Sequence, residues 1–238
     1  MKNLTALIVG ATSPVGNHCL QYLLQDPDYS SVKVLTGRSL AISHSKLQEQ
    51  IIDFEKLENF RAVIQSEHIF CCSGTTLKQA GSRAAFQKTN YGYPSILARI
   101  ARENQLRQFV LVSTVGANEK SKIFSYRHKG VLEKLIIELK FPSTIIFRPF
   151  LLLDKRSGWR AGEKFRETIL KGLTPFLWGS LKKYRPIHPQ TLAAAMVEMA
   201  KVELKGTHIF ESDQIQFYYD RLQKNIQAGI IPAILPGK

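Results

Sequence analysis

Cysteine, tryptophan and methionine are scarce in this chain of 238 residues, with three, two and three respectively. Cys19, Cys71 and Cys72 are odd in number and two are adjacent, which suits neither a disulfide framework nor a zinc site built from spaced ligands. Reduced, buried thiols are expected instead. Long apolar runs are missing too. No stretch reaches the ~18 residues needed to cross a bilayer, and the N-terminus leads straight into an apolar strand without a signal peptide. A soluble, cytoplasmic protein is the expectation. Acidic residues are few, 19 against 33 Lys and Arg, giving a formal net charge of +14. The bases are interleaved with acids except between Lys155 and Arg185, where they thicken. A solvated basic face is the favoured reading. An anionic cofactor or substrate comes second, and nucleic acid third because no binding motif accompanies the charge.

What is present centres on Leu4 to Gly16. Leu7, Ile8 and Val9 form a short apolar run suited to a buried parallel strand, and Gly10 ends it at a sharp turn. Ser13 and Pro14 then open a helix, serine as N-cap and proline in the first turn, while Gly16 lets that helix approach the strand. With Thr12 and Val15, these residues form a turn whose free amides converge on one point at a helix N-terminus. Within a βαβ unit that point accommodates a dinucleotide pyrophosphate. The usual pattern has glycine where this chain has Ser13, whose hydroxyl either donates to a phosphate oxygen or crowds the site.

The rest of the chain supplies the βαβ context. A helix over Pro14 to Gln25 and a loop at Asp26 to Ser30 lead to a second strand at Val32 to Thr36, ending at Gly37-Arg38. At that strand end an acid favours a ribose 2′-hydroxyl and an arginine a 2′-phosphate. Arg38 beside Ser39, with no acid nearby, therefore points to NADP(H). A third strand is read at Gln50 to Phe54, with Asp53 placed to meet an adenine edge, followed by a helix from Glu55. Ile69 to Cys72 is a fourth strand, ending in Ser73-Gly74-Thr75-Thr76 under the cofactor. Phe109 to Val112 is a fifth, leaving the hydroxyls of Ser113 and Thr114 at the carboxyl edge of the sheet. Helices at Tyr91 to Arg102 and Ile123 to Leu139, the latter carrying Tyr126 and Lys129, flank it. Ser143 to Phe147 is a sixth strand, running into Arg148-Pro149.

Strands alternating with helices at this spacing predict an α/β fold, a doubly wound parallel sheet of Rossmann type. A single domain spans 1–238, with 150–238 contributing a small C-terminal substrate lobe. Gly158 to Gly179 is expected to form a short helix and a loop over the ligand crevice. Pro189 to Val202 reads as a helix and Thr207 to Phe210 as a further strand. The apolar tail from Ile226 has no functional reading.

Together these motifs resemble the atypical short-chain dehydrogenase/reductases, and within them the Tat-interacting oxidoreductase group. The resemblance runs from about Leu4 to Ala200. It rests on Gly-Ala-Thr-x-x-Val-Gly at 10–16, Thr-Gly-Arg at 36–38, Asp-Phe-Glu-Lys-Leu at 53–57 and Phe-Cys-Cys-Ser-Gly-Thr-Thr at 70–76. Ser-Thr-x-Gly-Ala at 113–117, Lys-Gly at 129–130 and Phe-Arg-Pro at 147–149 complete it. The resemblance implies NADP(H) held by Thr12, Ser13, Pro14, Val15, Gly16, Arg38, Ser39, Ser73, Gly74, Lys129, Leu152 and Arg160. It also implies hydride transfer to or from a small carbonyl or alcohol, with a tyrosine as proton donor and a lysine beside it. In that family the tyrosine lies four residues before the lysine. Here that place is Ser125, and Tyr126 lies three before Lys129, on the other flank of the helix face. Two functions follow: an NADP(H)-dependent oxidoreductase using Tyr126, Lys129, Ser113 and Thr114, or a weak or inactive dinucleotide-responsive protein that binds a protein partner.

Overall fold

A computed structural model describes residues 2–153 and 179–228. Seven parallel strands form one sheet in the order β3-β2-β1-β4-β5-β6-β7. They are β1 Leu4–Val9, β2 Tyr29–Thr36, β3 Leu47–Ile51, β4 His68–Cys71, β5 Gln108–Val112, β6 Ser143–Arg148 and β7 Gly206–Glu211. The chain first winds outward from β1 through β2 to β3. It then returns across the sheet to β4 and winds the other way, so the direction reverses between β1 and β4. Strand ends diverge at such a point and leave a crevice at the carboxyl edge.

Side-chain alternation along each strand builds two apolar layers. Ile8, Val34, Phe70, Val110 and Ile145 face one side, where they meet α1 (Pro14–Gln25), α6 (Pro189–Ala200) and α7 (Ser212–Gln227). Ala193, Ala194 and Ala195 keep α6 slim, and it packs against α1. Leu7, Leu35, Ile69, Phe109 and Ile146 face the other side, under a 3₁₀ helix (Phe54–Val63), α4 (Tyr93–Glu103) and α5 (Phe124–Glu138). Two short helices, α2 (Leu77–Ala80) and α3 (Arg83–Gln87), lead through a π turn at Lys88–Gly92 into α4. The central strands are buried on both faces, and each Leu or Ile removed from water there contributes roughly 1.5–3 kcal/mol. This is the architecture read from the sequence.

Three details differ. The third strand is Leu47–Ile51, not Gln50 to Phe54: it pairs with Val32 to Thr36, so Ile52 is the last residue to donate back to Thr36. β3 is an edge strand with the polar sequence Leu-Gln-Glu-Gln-Ile, and it carries little apolar signal. The segment after it is a 3₁₀ helix, kinked at Lys56 and Phe60. α7 was not read from the sequence at all, because it shows mostly polar residues and buries only Ser212 and Ile215. The described part of 150–238 builds onto the same sheet through β7 and α6. The helix and loop expected at Gly158 to Gly179 fall almost wholly outside the described residues, as do Arg160 and the end of the tail.

Candidate dinucleotide crevice

The turn from β1 into α1 is fixed by backbone contact. Gly10 has φ +87°, and a Cβ there would stand 2.5 Å from the Ser73 amide nitrogen and 2.6 Å from the Cys72 carbonyl carbon. A Cβ on Gly16 would stand 2.0 Å from the Gly10 carbonyl oxygen. Both positions thus exclude any side chain, and the helix start is pressed onto the strand ends. Pro14 occupies the first helical turn, where its missing N–H costs nothing. Ser13 is the N-cap: its Oγ accepts from the Gly16 amide at 3.0 Å and donates to the Cys72 carbonyl at 3.1 Å. Its one proton is therefore used inside the protein, and the serine joins α1 to the end of β4. Among the described residues the amides of Thr12 and Val15 meet no acceptor. They stand at the positive end of the α1 dipole.

Beside this turn lie the ends of β4 and β5. Ser73 Oγ is 3.4 Å from the buried thiol of Cys71, whose pKa burial pushes up. Gly74 stands close to Lys129, the space of its Cβ being 3.6 Å from Lys129 Nζ. Lys129 reaches in from α5 and donates to the Val112 carbonyl at 3.0 Å. Burial lowers its pKa, with the Cys71 thiol and the Glu133 carboxylate opposing the shift. Ser113 is buried, and its hydroxyl has no partner among the described residues. Thr114 turns its hydroxyl to the carbonyls of Val115 and Pro149, at 3.3 and 3.4 Å. Tyr126 lays its ring against Gly116, which has φ +84°; a Cβ there would be 3.2 Å from the ring. Ser125 precedes it on α5, half-buried.

Asn90 was missed in the sequence. It is buried in the π turn, where its Nδ2 donates to the carbonyls of Thr75 and Phe86 at 3.1 and 3.0 Å and its Oδ1 accepts from the Thr75 amide at 3.4 Å. One side chain thus holds the loop that passes under the crevice. An asparagine in the middle of a helical run was the available signal, since such a residue is favoured where it bonds to backbone.

The outer rim departs from expectation. Arg38 is exposed at the end of β2, its carbonyl accepting from Thr36 Oγ1 at 2.7 Å, and it forms no ion pair among the described residues. An acid is nearby after all. Ser39 Oγ donates to Glu49 Oε2 at 3.0 Å, and the Leu40 amide donates to Glu49 Oε1 at 2.6 Å. Glu49 escaped notice because it lies ten residues on, in β3, brought alongside by the strand pairing. Asp53 is exposed and caps the 3₁₀ helix, accepting from the Glu55 amide at 3.0 Å. It is spent as a local cap rather than held at a strand end. Leu152, half-buried, bridges to Ile187. Of the basic stretch the described residues include Lys183, which lies 3.8 Å from Glu211 and over the Tyr184 ring.

A parallel sheet with a direction reversal, a glycine turn at the reversal and a lysine at the adjoining strand ends define a doubly wound α/β protein of Rossmann type. The chain belongs to the NAD dependent epimerase/dehydratase family, whose profile matches residues 6–129. It is similar to Protein FMP52-1, mitochondrial, of Scheffersomyces stipitis, 35% identical over 236 residues, 97% of this chain and 93% of that protein. It is also similar to Protein HTATIP2 of Rattus norvegicus, 30% identical over 184 residues, 76% of this chain and 75% of that one. The resemblance to the Tat-interacting group of atypical short-chain dehydrogenase/reductases stands on these relatives. In fold it matches the Bordetella bronchiseptica enzyme WbmH in complex with NAD+, with a TM-score of 0.66 at 15% identity over 98% of this chain and 83% of that one. The expectation of a cytoplasmic protein is overturned by relatives named mitochondrial from Scheffersomyces stipitis, Debaryomyces hansenii and Candida albicans. No helix among the described residues is long and apolar enough to cross a membrane.

Proposed function

We propose that the chain is an NADP(H)-binding oxidoreductase that transfers hydride to or from a small carbonyl or alcohol. The carrying observation is the convergence, at one crevice, of the Gly10 to Gly16 turn and the Lys129 ammonium beside Gly74. The residues present suit a dinucleotide: the amides of Thr12 and Val15, without an acceptor among the described residues, would hold a pyrophosphate at the head of α1. That WbmH is described in complex with NAD+ supports a nicotinamide dinucleotide here. Arg38 supports the 2′-phosphate form, because an exposed guanidinium just past the end of β2 makes charge-assisted bonds to phosphate.

When bound, the nicotinamide supplies or accepts the hydride. Lys129, part-buried and held to the Val112 carbonyl, holds the ribose hydroxyls. Tyr126 exchanges the proton with the substrate oxygen, and the unpartnered hydroxyl of Ser113 orients that oxygen. Thr114 plays a lesser part, since its hydroxyl is turned to the backbone. The mitochondrial names of the FMP52 relatives support a mitochondrial location.

The test is NADPH consumption against a panel of aldehydes and ketones, with Tyr126→Phe alongside. Loss of turnover with NADPH binding retained supports the assignment, and full activity in Tyr126→Phe removes it. A second reading, a dinucleotide-responsive binding protein with little turnover, is favoured by Ser125 standing where the family has its tyrosine. An inactive parent that still binds NADPH would establish that reading instead.

A further inference from the structure

The loop that carries Arg38 is built around Glu49. Both carboxylate oxygens are engaged, one by the Ser39 hydroxyl and one by the Leu40 amide. Ser39 Oγ also accepts from the Ala41 amide at 3.2 Å, and Ala41 sits at φ +54°, a left-handed conformation rare for alanine. The Ser39 hydroxyl has a single proton, and Glu49 takes it. Two consequences follow for an anion at Arg38. The serine next to that arginine has no proton left to give, and a carboxylate stands one hydrogen bond behind it.

We propose that Glu49 is a specificity-determining residue that restrains selection of the 2′-phosphate, by holding the Ser39 proton and by placing a negative charge behind Arg38. This inference rests on the reading of Arg38 as the 2′-phosphate contact. On that basis the parent protein discriminates NADPH from NADH through Arg38 alone, and less sharply than its Arg-Ser pair would allow.

Glu49→Gln separates the two parts a carboxylate can play. The amide oxygen still accepts from Leu40. The amide nitrogen now donates to Ser39 Oγ, so the loop keeps both ties while the serine proton is released outward. Calorimetry with NADPH and NADH reads the outcome. In Glu49→Gln, NADPH binds about tenfold tighter than in the parent, NADH binds as before, and adding Ser39→Ala removes the part of the gain that the released hydroxyl supplies. An unchanged or reduced NADPH to NADH ratio in folded Glu49→Gln would show Glu49 to be only a strut and overturn the proposal. Should that variant fail to fold, Glu49→Ala is measured in its place, and a NADPH to NADH ratio no higher than the parent's overturns the proposal. Arg38→Ala, measured in parallel, keeps the underlying reading apart. If it leaves the parent ratio unchanged, the assignment of Arg38 fails, whereas loss of preference in Arg38→Ala with no widening in Glu49→Gln defeats only the role of Glu49.

Discussion

The ring of Tyr126 rests on Gly116, and a methyl group at Gly116 would come within 3.2 Å of that ring. Since Gly116 also has φ +84°, Gly116→Ala meets both backbone strain and a displaced tyrosine. The expected cost is about 1–2 kcal/mol of stability from the left-handed conformation. Turnover should fall more than this, with NADPH affinity kept, because Tyr126 moves while the β1 turn does not. Chemical denaturation and steady-state kinetics on the same sample check both.

Gly10→Ala and Gly16→Ala should behave differently from Gly116→Ala. Their Cβ atoms would meet backbone at 2.5 and 2.0 Å, and backbone cannot rotate away as a side chain can. Both variants should lose the β1 to α1 packing, with a cost above ~3 kcal/mol, at the large end of single substitutions. Circular dichroism melts would read this directly, and a parent-like melting temperature in either would contradict the geometry.

Glu133 on α5 is buried and receives both Arg148 Nε, at 3.0 Å, and Arg148 Nη2 from β6. Breaking a buried pair by removing one partner costs about 3–5 kcal/mol, because the remaining charge is left without water. Arg148 is partly exposed, so Glu133→Ala should fall near the lower end and Arg148→Ala, which strands the buried carboxylate, should cost more. Replacing both, as Glu133→Leu with Arg148→Met, should recover much of the loss. Urea titrations of the four proteins test the ordering.

Stability should fall as the solution is acidified, through His68. Its imidazole is buried, its Nδ1 lies 2.8 Å from the Tyr29 hydroxyl, and burial lowers its pKa from 6.5 to about 4. The folded state therefore resists protonation between these values while the unfolded chain accepts it. Stability is fully present above pH ~6.5 and is lost progressively as the pH drops towards 4, by on the order of 3 kcal/mol. His68→Gln should flatten this dependence. Equal slopes in parent and variant between pH 4 and 6.5 would contradict the assignment.

The parallel sheet was legible because apolar runs such as Leu7 to Val9 and Phe109 to Val112 are short, sharply ended and spaced by helix-length segments. The glycine turn was legible because Gly10, Ser13, Pro14 and Gly16 each have a local backbone role. What escaped was set by partners distant in sequence. Glu49 meets Ser39 only through the pairing of β2 with β3, and Asn90 meets Thr75 only through the fold of the π turn. Ser13 looked like an exception to a phosphate motif because its acceptor, the Cys72 carbonyl, lies just past the end of another strand. β3 was misplaced for a related reason: an edge strand needs pairing and not apolar burial, so Ile51-Ile52 drew the boundary too far along.

The central claim is that this crevice holds a nicotinamide dinucleotide and selects its 2′-phosphate through Arg38. Calorimetric titration of the parent and of Arg38→Ala with NADPH and NADH tests it most directly. A charge-assisted contact contributes ~1.5–3 kcal/mol, so the parent should bind NADPH at least about tenfold more tightly than NADH, and Arg38→Ala should bind the two alike. Equal affinities in the parent, or a preference that survives in Arg38→Ala, would contradict it.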